Sequence, residues 1–310
     1  MRIELAGQSS HVYERKPDWF RIRPPTETFE GLKELIAHFG LVTVCQEAHC
    51  PNMAECWSGG TATFMVLGDT CTRACKFCAV KTGNPKGVVK KDEPKLLAQC
   101  IQEMNKLGKS KLDYIVITSV DRDDLPDQGA SHFASCIIET KKAVPGLMVE
   151  VLTPDFRGDE SCVKTIVTAA PDVFGHNIET VRRLQKKVRD LRAGYDQSLS
   201  VLAAAKRLNP KVFTKSSLML GLGETEEEVA QAMKDLLAVG VDMLTLGQYL
   251  RPSTWHLPVA EYVSPERFNK LKLVGEGLGF KYVAAGPFVR SSYKAGELFV
   301  KNVLNKKEAQ

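Results

Sequence analysis

Residues 61 to 78 read TATFMVLGDTCTRACKFC. The opening TATFMVLG is an apolar run with β-branched and aromatic residues, the pattern of a strand buried on both faces. Directly after it come Cys71, Cys75 and Cys78 in C-x3-C-x2-C spacing. Three thiolates this close in sequence wrap one side of a compact four-iron cluster, which needs one ligand per iron, so the fourth iron is left open. A structural zinc site is the competing reading. Zinc usually closes its tetrahedron with paired C-x2-C knuckles, and no matching pair follows.

Further along, the same kind of run recurs: LDYIVITS (112 to 119), LMVEVLTPD (147 to 155), DVFGHNIE (172 to 179), VFTKSSLMLGLG (212 to 223) and MLTLGQYL (243 to 250). Between these strands lie EPKLLAQCIQEMNKL, GASHFASCIIETKKAV, TEEEVAQAMKDLLAVG and SPERFNKLKLVGEGLG, with apolar residues at helical intervals. Thr225 with Glu228 predicts a capping box, Ser264 before Pro265 a helix start, and Gly240 and Gly279 helix ends. About six strand-helix units in sequence imply a parallel α/β sheet, doubly wound or curled into a barrel. Periodicity alone does not choose between the two.

Toward the amino terminus, residues 1 to 60 read as an extension. Pro17, Pro24, Pro25 and Pro51 interrupt it, and only FEGLKELIAHFG (29 to 40) has helical spacing. It carries a second triplet, Cys45, Cys50 and Cys56, in C-x4-C-x5-C spacing. Past Gly279, YVAAGP predicts a further short strand, and VRSSYKAGELFVKNVL a turn and terminal helix ahead of a solvated tail.

With 310 residues, 44% hydrophobic, the chain is long enough for one barrel-sized domain with extensions. No stretch approaches the ~20 apolar residues of a membrane span, and the first residues lack the apolar core of a secretory signal. A cytoplasmic protein is expected, in which clustered cysteines bind metals or do redox chemistry rather than form disulfides. A net charge of +5 calls for no nucleic-acid partner but suits an acidic protein partner.

On these residues the chain resembles the radical S-adenosylmethionine superfamily, whose C-x3-C-x2-C loop follows the first strand of a partial (β/α)6 TIM-type barrel. The resemblance narrows to the lipoyl synthase family through the Cys45/Cys50/Cys56 triplet taken with RSSY at 290 to 293. Along the chain, ERKPDWFR, TSVDRDDLPDQGA, PDF, HNIETV, KSSLMLGLGET, QYLRPS and GPFVRSSY match in order. It implies a barrel over 61–280, with extensions at 1–60 and 281–310 carrying an auxiliary cluster. Two 4Fe-4S clusters are implied, one on Cys71, Cys75 and Cys78, the other on Cys45, Cys50, Cys56 and Ser292, with S-adenosylmethionine on the open iron. The reaction implied is insertion of sulfur at carbons 6 and 8 of an octanoyl-lysine, with the auxiliary cluster as sulfur donor and no catalytic residue beyond the clusters. Implied partners are octanoylated lipoyl carrier domains or glycine-cleavage H protein, a flavodoxin- or ferredoxin-type electron donor and an iron-sulfur cluster donor. A biotin synthase or methylthiotransferase type of enzyme shares the first triplet but has no reason to combine the second with RSSY. A two-cluster electron carrier has no use for a barrel.

Other residues carry weaker expectations. The resemblance implies an aromatic beside the adenine, a place Phe77 fits, while residue type alone suits simple loop packing equally well. Thr118, Asp121, Glu150 and Asn177 belong to strands or their following loops and are expected at the barrel mouth, and Arg251 and Arg290 in late loops are expected to contact cofactor or carrier. Asp123 and Asp124 read at least as readily as surface acids in a turn as they do as residues at the barrel mouth, and His176 as a satisfied strand histidine. Cys100, Cys136 and Cys162 read as buried structural thiols. GLGE (221 to 224) lacks a full phosphate-loop pattern and reads as well as a strand-to-helix turn, which the resemblance places near the adenosine. VRRLQKKVRDLR (181 to 192) is expected to form a basic helix, opposed only by Asp190, that attracts an acidic carrier.

Overall fold

The computed structural model describes residues 26–59, 61–107 and 112–292; ERKPDWFR and the expected terminal helix lie outside them. The described chain begins with α1 (Glu27–His38), which buries Phe29, Leu32 and Ile36 along one stripe. β1 (Val42–Thr43), α2 (Val44–Glu47) and α3 (Met53–Ser58) follow. The fully buried Trp57 of α3 packs on Phe29 at 5.2 Å, seating this segment on the barrel. The expected extension also joins the sheet, because β1 pairs antiparallel with β2 (Thr63–Val66).

After β2, the short strands β3 (Thr70–Cys71) and β4 (Lys81–Thr82) pair with each other and arch the CTRACKFC loop away from the main sheet. Strand and helix then alternate: α4 (Glu93–Leu107), β5 (Tyr114–Ser119), α5 (Ala130–Ala143), β6 (Met148–Leu152), α6 (Glu160–Thr168) and β7 (Val173–Gly175). Next come α7 (Gln185–Val188), α8 (Tyr195–Leu208), β8 (Phe213–Leu220), α9 (Glu226–Ala238), β9 (Met243–Gln248), α10 (Pro265–Leu278) and β10 (Tyr282–Gly286). The capping box of Thr225 and Glu228 forms, Ser264 caps α10 ahead of Pro265, and Gly279 ends α10 at φ +112°.

The sheet order is β1-β2-β5-β6-β7-β8-β9-β10, parallel from β2 onward. A doubly wound sheet reverses its strand order at a switch point, whereas here every new strand adds to the same edge, so the sheet curls into a partial barrel. Among the described residues β10 pairs with β9 alone, which leaves the barrel open on that side. Its floor is apolar and built from strand starts, with Tyr114, Met148, Val173, Phe213, Met243 and Tyr282 packed in one cluster. Above that floor, all strand ends from β2 onward point the same way, toward the loops that carry the cysteines.

The basic segment differs from its expectation. Residues 182–188 form a 3-10 turn and the four-residue α7, and the helix between β7 and β8 is α8. Arg182 is paired with Asp196 at 2.7 Å, Arg183 with Glu228 at 2.7 Å and Arg192 with Asp190 at 2.8 Å, while Arg189 is buried. Four of its six cations are thereby engaged within the chain, and only Lys186 and Lys187 stand exposed without an ion pair among the described residues.

Candidate functional site

The CTRACKFC loop is gripped by its neighbours. Arg73, between the first two cysteines, is buried and meets Asp121 at 3.2 Å, Asp123 at 3.0 Å and Asp155 at 2.8 Å, from the loops after β5 and β6. Thr72 N–H donates to the Asp121 carbonyl at 3.0 Å, Ala74 N–H to the Asp190 carboxylate at 2.9 Å, and Lys76 N–H to the Val188 carbonyl at 2.9 Å. His256 bonds the Cys78 carbonyl at 2.9 Å and Leu257 N–H donates to the Lys76 carbonyl at 3.2 Å. Loops after four strands therefore fix this one loop.

The second triplet is built differently. Cys45 lies in α2, Cys56 in α3 and Cys50 between them, joined by local bonds such as Cys50 N–H to the Cys45 carbonyl at 3.0 Å. Asn52 donates to the Phe288 carbonyl at 2.5 Å, tying this segment to the loop after β10. That loop comes close because Gly247 in β9 has no side chain. A β-carbon there would stand 2.1 Å from the Val289 carbonyl oxygen. Arg290 and Ser292 are thus brought beside Cys45, Cys50 and Cys56, with which they line a small cavity.

A larger cavity of about 580 Å³ opens over the strand ends. Cys71, Cys75 and Cys78 line it, as do Cys45, Cys50 and Ser292; Cys56 faces the smaller cavity alone. Phe77, Thr118, Asp121, Asn177, Arg251 and Arg290 all reach the larger cavity. Thr118 donates to the Leu152 carbonyl at 2.9 Å and Asn177 to Glu179 at 3.1 Å. Burial pushes the Asp121 carboxyl up to about 6, against the pull of Arg73. Arg251 folds onto its own loop, donating to the His256 carbonyl at 2.8 Å and to that of Thr254. Arg290 donates to the Val289 carbonyl at 2.7 Å.

Glu150 is a correction. It does not line the cavity; it sits below it, salt-bridged to Lys215 at 2.7 Å and accepting from the Tyr114 hydroxyl. A carboxylate buried in the barrel is tolerable only when paired, and Lys215 from β8 supplies the charge. Neither reading of Asp123 and Asp124 holds, since their side chains are largely shielded and do not line the cavity. The Asp123 side chain is 5% exposed and meets Arg73, Arg157 and Arg192, and Asp124 pairs with the buried Arg122 at 2.9 Å.

GLGE is the expected turn. Glu224 accepts from the N–H groups of Gly221 and Leu222 at 2.6 and 2.9 Å, so those donors are already taken. Cys100, Cys136 and Cys162 are buried as expected. Cys136 stands near Glu93 and His132, but Glu93 is satisfied by His132 at 2.7 Å and by Leu67 N–H at 2.8 Å. His176 is satisfied as expected, by the Thr153 carbonyl and Ser198 at 2.9 Å each, yet it also lines the cavity. Burial and the nearby Arg189 lower it to about 4, so it is neutral at physiological pH.

Sequence reasoning missed Arg73, Glu179 and Arg189 at the site. The first sits between two candidate ligands and the second two residues after Asn177, signals that a register argument could have used. Arg189 was hidden in a charge run.

The cysteine pockets suit iron-sulfur clusters. All nine cysteines are free thiols. Burial, with the Asp121 charge adding to it, pushes Cys71 and Cys75 up to about 12; burial, with Glu179 and Asp121 adding, pushes Cys78 up to about 11. Burial and nearby carboxylates disfavour a free thiolate at all three, a cost that the positive charge of bound iron would offset as it displaces the protons.

Residues 65–236 match the family profile of the Radical SAM superfamily. The chain is 58% identical over 291 residues to lipoyl synthase of Anaeromyxobacter sp. (strain Fw109-5), covering 94% of this chain and 97% of that relative. It is 57% identical to lipoyl synthase of Thermus thermophilus, over 93% of this chain and 88% of that one, and 54% identical to the chloroplastic lipoyl synthase of Arabidopsis thaliana, over 97% and 76%. In fold it is similar to the FeFe-hydrogenase maturase HydG from Carboxydothermus hydrogenoformans, with TM-score 0.54 and 12% identity, over 88% of this chain and 78% of that one. By near-full-length identity on top of this barrel and its two cysteine sites, the chain belongs to the lipoyl synthase family of radical S-adenosylmethionine enzymes.

Proposed function

We propose that Cys71, Cys75 and Cys78 hold one four-iron cluster, that Cys45, Cys50, Cys56 and Ser292 hold the other, and that the cavity between them receives S-adenosylmethionine and an octanoyl chain. Membership in the family implies both cofactor types and makes the chain a sulfur-inserting enzyme. The observation that carries the residue assignment is that one cavity is lined by members of both ligand sets. When bound, the open-iron cluster and S-adenosylmethionine supply the radical that removes unactivated hydrogens from carbons 6 and 8, beyond the reach of acid-base groups.

The chain's own residues bind, orient and exclude water. Phe77 offers its ring to the adenine. Asn177 and Glu179 present a polar pair to hydroxyl groups, and Arg189, buried 4.0 Å from Asp155 and bonded to Ser198, adds positive charge to the cavity wall. Thr118, Arg251 and Arg290 supply further polar contacts around the mouth. A serine oxygen is a weaker iron ligand than thiolate, so Ser292 suits a cluster that must surrender sulfide. The octanoyl group arrives on a lysine of a carrier domain. Cysteines clustered at metal-binding spacing suit a reducing compartment, and we place the enzyme in the cytoplasm; no described helix is long and apolar enough to cross a membrane.

The test is anaerobic reconstitution, then incubation with S-adenosylmethionine, dithionite and an octanoyl-lysine peptide. Mass spectrometry should show a dithiolated peptide and 5′-deoxyadenosine. Cofactor cleavage with no sulfur on the peptide would remove the auxiliary assignment, and no cleavage at all would remove both.

A further inference from the structure

The cluster loop has two sides. Cys71, Arg73, Cys75, Phe77 and Cys78 face the cavity, whereas Ala74 and Lys76 alternate with them and are exposed. The two segments bonded to this loop also have a cavity side and an exposed side. Arg189 and Ala193 line the cavity while Leu191, between them, is 83% exposed; Arg251 and Pro252 line it while Trp255 is 68% exposed. Backbone bonds from Lys76 to Val188 and from Leu257 to Lys76, and from Ala74 to the Asp190 side chain, bring these residues to the outer side of the loop. Lys76, Lys186 and Lys187 are exposed there without an ion pair among the described residues, and Lys81 stands opposite Thr70 at the loop's base.

We infer that this outer surface docks an acidic, low-potential one-electron carrier protein that reduces the cluster on Cys71, Cys75 and Cys78. The inference rests on the cluster assignment made above. In the step, one electron leaves the reduced flavin or iron-sulfur centre of the carrier and enters the cluster, which passes from its 2+ to its 1+ state; no bond forms or breaks. Electron transfer slows steeply with distance, and on this side the loop's own exposed backbone is what separates the thiols from solvent. Two large exposed apolar side chains amid uncompensated lysines form an anchor and a steering field for a negatively charged partner. The octanoyl carrier has a different requirement. It must deliver an acyl chain into the cavity, which is lined by the loop's cysteines and not by Ala74, Lys76, Leu191 or Trp255.

Two reductants separate docking from chemistry, since dithionite needs no protein interface. Trp255→Ala should raise KM for a reduced flavodoxin of net negative charge about tenfold, the loss expected for one anchoring aromatic. Lys186→Glu with Lys187→Glu should raise it further at low salt than at high salt. Cofactor cleavage driven by dithionite should stay at the wild-type rate in both variants. Direct titration of the flavodoxin into the protein, with and without clusters, should weaken by the same factors. Unchanged flavodoxin binding would overturn the inference. So would a loss confined to the octanoylated carrier domain with either reductant, which would make this face the substrate's dock. Failure of wild-type cleavage with dithionite would instead count against the cluster assignment itself.

Discussion

The two cysteine triplets are held in opposite ways. The Cys71 loop is bonded to loops after four strands, and Arg73 within it is shared among three buried or partly buried carboxylates. The Cys45 triplet is held by bonds between near neighbours in sequence and meets the rest of its site through Asn52, Gly247 and the loop ending at Ser292. One site is part of the barrel. The other is assembled from segments that precede and follow the barrel strands in sequence. A cofactor that must stay through every turnover benefits from the first construction, and a cluster that is consumed and rebuilt benefits from the second, because opening it disturbs few contacts of the fold.

The sharpest break in that contrast is to remove each triplet in turn. The wild-type chain should hold about eight irons, four per cube. Alanine at Cys71, Cys75 and Cys78 should halve the iron and abolish 5′-deoxyadenosine formation. Alanine at Cys45, Cys50 and Cys56 should halve it as well, yet leave cofactor cleavage measurable with no sulfur in the product. Iron assay, chromatography of the nucleoside and peptide mass spectrometry read the three quantities. Dithiolated product from the second variant would erase the division of labour.

A smaller effect tests the grip on the barrel site. Arg73→Gln leaves Asp155 and Asp121 without their guanidinium, a loss of about 3 kcal/mol for a broken buried pair. Chemical denaturation should show it. Iron at the Cys71 site should become labile to chelator, while auxiliary iron, which no Arg73 contact supports, should exchange as in the wild type.

Smaller again is Gly247→Ala. The added methyl meets the Val289 carbonyl, and overpacking of this kind costs about 1 to 3 kcal/mol. The Arg290 to Ser292 segment is displaced, so auxiliary iron should be lost faster and dithiolation should fall, with cofactor cleavage nearly unchanged. Equal loss at both sites would show that the C-terminal loop supports the whole barrel mouth.

Much of this molecule was legible from local pattern. Apolar runs marked the strands of the main sheet from β2 onward, because a strand buried on both faces is mostly apolar, and Thr225, Ser264 and Gly279 marked helix ends through short-range bonds. The cysteine spacings declared two clusters because ligands to one cube must be close, and in each triplet they are close in sequence. The family resemblance added Ser292, which no spacing rule connects to Cys45. Tertiary structure decided the rest. Glu150 was expected at the mouth, yet the register of β6 against β7 and β8 sets it a layer lower, beside Lys215, where pairing is the only way to bury its charge. The run at 181–192 looked like a basic face because sequence counts charges without their partners; Asp196, Glu228 and Asp123 reach it only after folding. Hydrophobic periodicity and capping act over one or two turns, so a sequence displays them directly. Which carboxylate meets Arg73, and which carbonyl Gly247 must clear, depends on contacts between residues far apart in the chain, and those exist only once the barrel has closed around them.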